Sequence, residues 1–295
     1  MVTGAAGMVG RAVAAHGTAQ GETVVAFNHH TLDITDEPKL YDAFEQERPD
    51  VVINCAAWTD VDGCELDPDR ARTANALGPE LLALACRKIG AQLITISTDY
   101  VFDGEKDGFY TQRDHPNPQS AYGASKLEGE QRARIAWANT IVVRSGYIFG
   151  VGGTNFLSSV IPRARKGETL TAILDSFGTP TYAPDLARRL YQLAQLDFPG
   201  TYHVVNAGEG TSFEGFARYA LKAAGLNESL LKAVRLGDLK RPAPRPRNSR
   251  LRCLLSDALG LEPLRPWQDA VREFIAVDSP PQSTHRALGP ALEPI

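Results

Sequence analysis

The chain has 295 residues, 43% of them hydrophobic, with a formal net charge of -4 and a sequence pI near 5.9. That length holds one large domain or a domain with a smaller lobe, and the acidic balance excludes overall attraction to nucleic acid or an anionic membrane. No run approaches the roughly 18 to 20 apolar residues that span a bilayer, the first residues lack a secretory signal pattern, and Cys55, Cys64, Cys86 and Cys253 form no CxxC pair or metal-type cluster. A reduced, cytoplasmic protein acting on small molecules is the expectation, with no metal assigned.

In chain order, a very short first strand at residues 1–3 runs into Thr3-Gly4-Ala5-Ala6-Gly7-Met8-Val9-Gly10 and an apparent helix. Gly4, Gly7 and Gly10 permit close backbone approach, so that a pyrophosphate can sit on the amides of a helix N-terminus. A tight strand-to-helix turn is the plainer alternative for glycines alone. Residues 23–27 read as a second buried strand. Asp33 and Ile34 follow it, where an acidic and an aliphatic side chain can hold an adenine; a turn or helix cap is the other role open to Asp33. The strand ends on Phe27-Asn28-His29-His30 without an acidic residue for the ribose hydroxyls, which favours NADPH over NADH.

Residues 51–54 form the third strand, and Asn54-Cys55-Ala56-Ala57 places small residues at the sheet's carboxyl edge. A helix is expected from near Pro68 to Gly90, with Pro79 allowing a kink. Buried strands at 93–96 and 141–144 flank a helix that starts at Ser120 or Ala121. Beyond residue 150 come helices near 156–166, 183–195, 212–224 and 267–276 and a strand within 201–205. Residues 241–250 form a basic, proline-punctuated loop, and the segment 279–295 reads as a disordered tail. The alternation of strands and helices gives an α/β class: a Rossmann-type doubly wound parallel sheet with a smaller C-terminal substrate lobe. The expected division is a dinucleotide-binding domain over 1–150, to which the chain can return later, and a mainly substrate-binding lobe over 151–278.

Tyr122 and Lys126 stand four apart on the second of these helices, so both project from one face. A free phenol titrates near 10, and a fixed ammonium stabilises its phenolate and brings proton transfer toward neutral pH. Thr98 ends the strand before them, where open parallel sheets place ligands, and its hydroxyl can bond the oxygen that Tyr122 protonates. A surface tyrosine and lysine on an ordinary helix would match the spacing alone, whereas the glycine turn and strand-end threonine together point to carbonyl reduction.

With these motifs in order, the chain resembles the extended short-chain dehydrogenase/reductases, and within them the dTDP-4-dehydrorhamnose reductases, over about residues 1 to 276. The resemblance rests on residues 3–10, on Asn54-Cys55-Ala56-Ala57-Trp58-Thr59-Asp60-Val61-Asp62, on Ser97-Thr98-Asp99-Tyr100-Val101-Phe102-Asp103-Gly104 and on Tyr122-Gly123-Ala124-Ser125-Lys126. Gly178-Thr179-Pro180-Thr181-Tyr182 and Arg245-Pro246-Arg247-Asn248-Ser249 extend it. It implies hydride transfer from NADPH, or NADH, to C4 of a dTDP-linked 4-keto-6-deoxy sugar. Tyr122 would donate the proton, Lys126 would hold the nicotinamide ribose and lower the phenol's pKa, and Thr98 would polarise the carbonyl. Gly7, Met8 and Val9 would line the pyrophosphate, Asp33 and Ile34 the adenosine, and Ala56, Ala57 and Trp58 the rest of the cofactor.

By the same resemblance, Asp99 and Tyr100 face the sugar, and Tyr147 stands where relatives often carry tryptophan. Arg245, Asn248 and Arg250 lie in a loop suited to a diphosphate, because guanidinium groups bind phosphate bidentately; a solvated basic loop is the alternative. A homodimer follows from the resemblance alone. Some relatives use Mg2+ at a carboxylate-lined dimer contact, but no compact acidic cluster here asks for one. Two other readings share the motifs. A nucleotide-sugar dehydratase or epimerase is one, although dehydratases carry Asp-Glu where this chain has Asp99-Tyr100. A non-catalytic NADP-binding subunit similar to the methionine adenosyltransferase beta subunit is the other.

Overall fold

The computed structural model describes residues 1–278, so the expected disordered tail at 279–295 lies outside the described residues. The chain opens with β1 (Val2–Thr3), α1 (Met8–Ala19), α2 (Glu37–Glu47), β2 (Val51–Asn54), α3 (Val61–Leu66), α4 (Pro68–Arg72) and α5 (Gly78–Ile89). It continues with β3 (Gln92–Thr98), α6 (Ala121–Ala136), β4 (Thr140–Ser145), β5 (Ile148–Phe149), α7 (Phe156–Arg165), β6 (Leu170–Ile173), β7 (Phe177–Gly178) and β8 (Thr181–Tyr182). Last come α8 (Ala183–Leu196), β9 (Gly200–His203), β10 (Thr211–Ser212), α9 (Phe213–Ala223), β11 (Leu231–Val234), α10 (Leu254–Ala258) and α11 (Trp267–Asp278).

The main sheet runs β1-β2-β3-β4-β9, with every pair parallel. Its strands are apolar on both faces because both are covered. Val52 and Leu93 point into a core with Leu40, Phe44, Leu82 and Ala133 of α2, α5 and α6. Their neighbours Ile53 and Ile94 point the other way, onto Val13 of α1 and Leu186 and Leu190 of α8, as the strand period of two requires. The fifth strand, β9, comes from residues 200–203, so the chain re-enters this sheet after the helices that follow residue 150.

The expected buried strand at 23–27 is corrected. These residues flank β1 through one parallel bridge, Val2 to Ala26, and backbone bonds from Val2 N to Val25 O (2.8 Å) and Phe27 N to Val2 O (2.8 Å). None of the five is buried. The segment is an outer edge against a neighbour only two residues long, too short for a ladder. The helix expected over 68–90 is α4 and α5 joined by a π-helical stretch, Thr73–Leu77, with Pro79 in the first turn of α5 and Gly90 ending it in the left-handed region (φ 78°). The helices expected at 156–166, 183–195, 212–224 and 267–276 correspond to α7, α8, α9 and α11.

The smaller lobe packs α7, α9 and α11 around Phe149, Phe216, Trp267 and Phe274. Short pairs complete it: β6 with β11 and β5 with β8 in parallel, and β7 with β10 antiparallel. None of these pairs was legible as a strand. The lobe lies at the carboxyl end of the main sheet, because β5 and β8 follow directly on β4 and precede α8.

Candidate active site

At the carboxyl ends of β1 and β2, Thr3, Asn54 and Thr95 are tied together. Thr3 Oγ1 donates to Asn54 Oδ1 at 2.7 Å, and Asn54 Nδ2 donates to Thr95 Oγ1 at 3.1 Å. The Ala56 amide donates to the same Asn54 oxygen at 3.0 Å. The glycine turn lies directly against this edge. A Cβ on Gly4, whose φ is +66°, would stand 2.6 Å from Ala56 N, and one on Gly10 would stand 2.3 Å from Gly4 O. Both positions therefore require glycine. Side chains cap α2 and α6 through Asp36 and Ser120, but none caps α1, so its first amides remain available to an anion.

A cleft of about 680 Å³ opens there, and Gly4, Gly7, Asp33, Ile34, Ala56, Ala57 and Trp58 all line it. The side chains of Met8 and Val9 do not. Met8 lies against Gly150 and Gly153, Val9 packs on the sheet core, and Gly10 is buried beneath Gly4. Asp33 also makes a turn, its Oδ1 accepting the Thr35 amide and hydroxyl at 2.9 and 2.7 Å. Asn28, Leu32 and Arg70 were not picked out from sequence. Arg70 had no spacing signal; its guanidinium lies 4.3 Å over the Trp58 ring.

A smaller cavity, about 230 Å³, lies between the end of β3 and the second lobe, with Thr98, Tyr100, Tyr122 and Tyr147 on one side and Phe149, Phe156, Phe213 and Phe216 on the other. Trp58 lines the cleft and its chain neighbour Thr59 the cavity. The aromatic wall was missed because its phenylalanines come from separate elements whose apolar spacing reads as ordinary core.

Local packing fixes the catalytic candidates. Gly123 lets the first turn of α6 approach the turn after β3, since a Cβ there would meet Tyr100 O at 2.3 Å. Tyr122 sits beside Tyr100, edge to face at 6.1 Å. Burial raises the Tyr122 phenol above its ordinary value, opposed by its hydrogen bond with Thr98. Lys126 Nζ donates to Ile96 O at 2.7 Å. Burial lowers this amine to about 8, opposed by the Glu130 carboxylate one turn on. Glu130 in turn accepts from Ser97 Oγ at 2.5 Å and from both sides of the Arg144 guanidinium at 2.9 and 2.6 Å. The groups acting on the Tyr122 phenol are burial, Thr98, Asp99 and Cys64; the ammonium of Lys126 is directed to the sheet backbone instead.

Asp99 does not face the cavity. It is 3% exposed and accepts hydrogen bonds from Ser249 Oγ at 2.5 Å and Thr98 Oγ1 at 3.1 Å; burial pushes it up to about 6. Tyr147 has φ +45°, stacks on Phe213 at 4.1 Å and donates to Ser176 O at 3.2 Å.

The basic loop is tied to the rest of the fold at Arg245 and Asn248, while Arg241, Pro242, Pro244 and Arg247 are exposed. Arg245 pairs with Asp62 at 2.5 Å, and that bond holds the Asp62 carboxyl below its usual range. Asn248 Nδ2 donates to Lys106 O and Gly108 O at 2.6 and 2.7 Å, while its Oδ1 accepts from Arg250 Nε at 2.8 Å. The amide of Asn248 is thus spent on holding the loop. Among the described residues, no group of three or more His, Cys, Asp or Glu side chains is placed to hold a metal ion, and no helix is long and apolar enough to cross a membrane.

A family model described as the RmlD substrate binding domain matches residues 1–279. The dTDP-4-dehydrorhamnose reductase of Streptomyces griseus is 39% identical over 280 residues, covering 92% of this chain and 91% of that protein. A solved dTDP-4-dehydrorhamnose reductase structure from Clostridium acetobutylicum superposes with a TM-score of 0.90 at 35% identity, covering 94% of this chain and 98% of that one. The Bacillus anthracis dTDP-4-dehydrorhamnose reductase, solved in complex with NADP, gives 0.90 at 30% identity over the same shares.

Proposed function

Because the chain belongs to the RmlD family of dTDP-4-dehydrorhamnose reductases, within the extended short-chain dehydrogenase/reductases, we propose that it reduces the C4 ketone of dTDP-4-dehydro-L-rhamnose to dTDP-L-rhamnose at the expense of NADPH. The observation that carries this reading is a glycine-floored cleft together with a cavity whose polar side holds Thr98 and Tyr122, the two lined by the consecutive residues Trp58 and Thr59.

The residues fit the cofactor, since Gly4 and Gly10 leave a floor that any Cβ would fill and the uncapped start of α1 offers amides to the pyrophosphate. When bound, the reduced nicotinamide supplies the hydride for C4. Tyr122 gives its proton to O4 as the carbonyl becomes an alcohol; burial keeps the phenol in its protonated form. Lys126, anchored on Ile96 O, would hold the nicotinamide ribose. The absence of an acidic side chain at residues 27–30 favours NADPH over NADH.

Tyr100, Tyr147 and the aromatic wall receive the sugar, and Arg245 stands in the loop beside the diphosphate. In the same proposal, residues 1–150 with the returning β9 serve the cofactor and 151–278 mainly the substrate. A cytoplasmic location accords with four free thiols. The test is to mix purified protein with NADPH, or NADH, and dTDP-4-dehydro-L-rhamnose, following cofactor oxidation together with the reduced sugar. Absence of turnover with both cofactors would sink the reading.

A further inference from the structure

A third cavity, of about 260 Å³, shares no lining residue with the cofactor cleft or the active-site cavity. Arg189 of α8, His203 at the end of β9 and Ser256 of α10 line it. Arg189 is 5% exposed. Its Nε donates to Gln192 Oε1 at 2.8 Å and its Nη2 to the Glu262 carbonyl, which leaves the charge itself without a counter-charge. The groups acting on it are the like-charged Arg188 and the Cys253 thiol, and no carboxylate is among them. Asp185, four positions back, is taken by Arg188 at 3.7 Å and by Arg265 at 2.8 Å; Asp257 also lines the cavity, but as an exposed residue. His203 is 3% exposed, and burial brings its imidazole down to about 3, so the ring is neutral. Its Nδ1 lies 3.2 Å from Tyr110 O and 3.0 Å from Arg252 O. Both neighbours are acceptors, so Nδ1 carries the ring proton and Nε2 presents a lone pair. That Nε2 and the Ser256 hydroxyl are buried without a hydrogen-bond partner among the described residues.

We propose that this cavity is a second ligand site, for inorganic phosphate: its charged oxygens pair with Arg189 and accept from Ser256 Oγ, while its hydroxyl donates to His203 Nε2. A permanent charge buried without a counter-charge is costly, and so is each buried polar atom left unpaired. A ligand that settles all three must bring negative charge and a proton to donate. Hydrogen phosphate has both, and a guanidinium binds its oxygens in a fork. Acetate and chloride only accept at neutral pH, so either would set a lone pair against the lone pair of Nε2. The occupant lies against Leu251, Arg252 and Cys253, which carry the chain out of the basic loop toward α10. The site stands whether or not the chain reduces a nucleotide sugar.

Two measurements on the full chain test this. Calorimetric titration with phosphate, with NADP+ and dTDP present to occupy the cleft and the active-site cavity, should show one saturable site. Arg189→Met should weaken it at least about 10-fold and Ser256→Ala about 2- to 10-fold, and acetate and chloride should bind at least about 10-fold more weakly than phosphate. In 15N NMR the His203 Nε2 signal should move as phosphate is added to the wild type and stay in place in Arg189→Met. No saturable phosphate site, binding that survives Arg189→Met, acetate binding as well as phosphate, or a His203 ring that does not respond overturns the proposal. If Arg189→Met does not fold, Ser256→Ala and the His203 signal of the wild type decide.

Discussion

Glu130→Ala is expected to be the most destabilising single truncation near the site. Glu130 and Arg144 pair at 2.6 Å with side chains only 6% and 8% exposed, and Ser97 adds a third bond to the carboxylate. Removing one partner of such a pair strands the other charge in a low-dielectric interior, at a cost of about 3–5 kcal/mol. Against a typical total stability of about 5–15 kcal/mol, that is about a fifth of the whole at the least. Replacing both residues by methionine removes the stranded charge and should recover most of the loss. Urea unfolding monitored by fluorescence measures this as a lower midpoint at unchanged slope. A loss under about 1 kcal/mol for Glu130→Ala, or a double variant no more stable than the single one, would refute the reasoning. The same carboxylate supports the charge on Lys126 against burial. In the double variant the amine should therefore titrate below its present value of about 8, and cofactor affinity should fail at lower pH than in the wild type.

Tyr122→Phe should lower kcat about 10²- to 10⁴-fold while NADPH, titrated by fluorescence, still binds; full activity would remove the phenol from the chemistry. Gly10→Ala forces a Cβ to 2.3 Å from Gly4 O, so cofactor binding should weaken at least about 10-fold and stability fall by about 1–3 kcal/mol, read by the same titration and by urea. Lys126 carries a pH signature. Its folded value of about 8 lies below the usual value, so the unfolded chain binds more protons between about 8 and 10.5, and stability from this group rises with pH across that window by about 3 kcal/mol. The difference between wild type and Lys126→Met, measured by urea unfolding at the two ends of the window, should show that rise; a flat difference would contradict it.

The cofactor half of the site was legible because its requirements are local. A glycine beneath a phosphate, small residues at a strand end and a tyrosine four before a lysine are each fixed by neighbours a few positions away, and Gly4, Ala56 and Ala57 stand on one cleft while Tyr122 and Thr98 share one cavity. Residues 23–27 misled for the opposite reason. Their apolar, β-branched composition describes a strand, but burial depends on a partner, and β1 offers only two residues. The substrate half depends on contacts between residues far apart in sequence. Phe156 and Phe213 become a cavity wall only when α7 and α9 meet, and Arg245 is claimed by Asp62 from 183 positions away.

Lys126 shows where the two kinds of information join. Its spacing from Tyr122 is written in the helix, yet its bond to Ile96 O and the carboxylate that sustains its charge come from β3 and from the pairing of Glu130 with Arg144 on β4. The sequence pattern marks which side chains share a helical face. Whether an ammonium can stay charged there is decided by the strands packed beneath that face, through Ile96 O and through the pairing that holds Glu130.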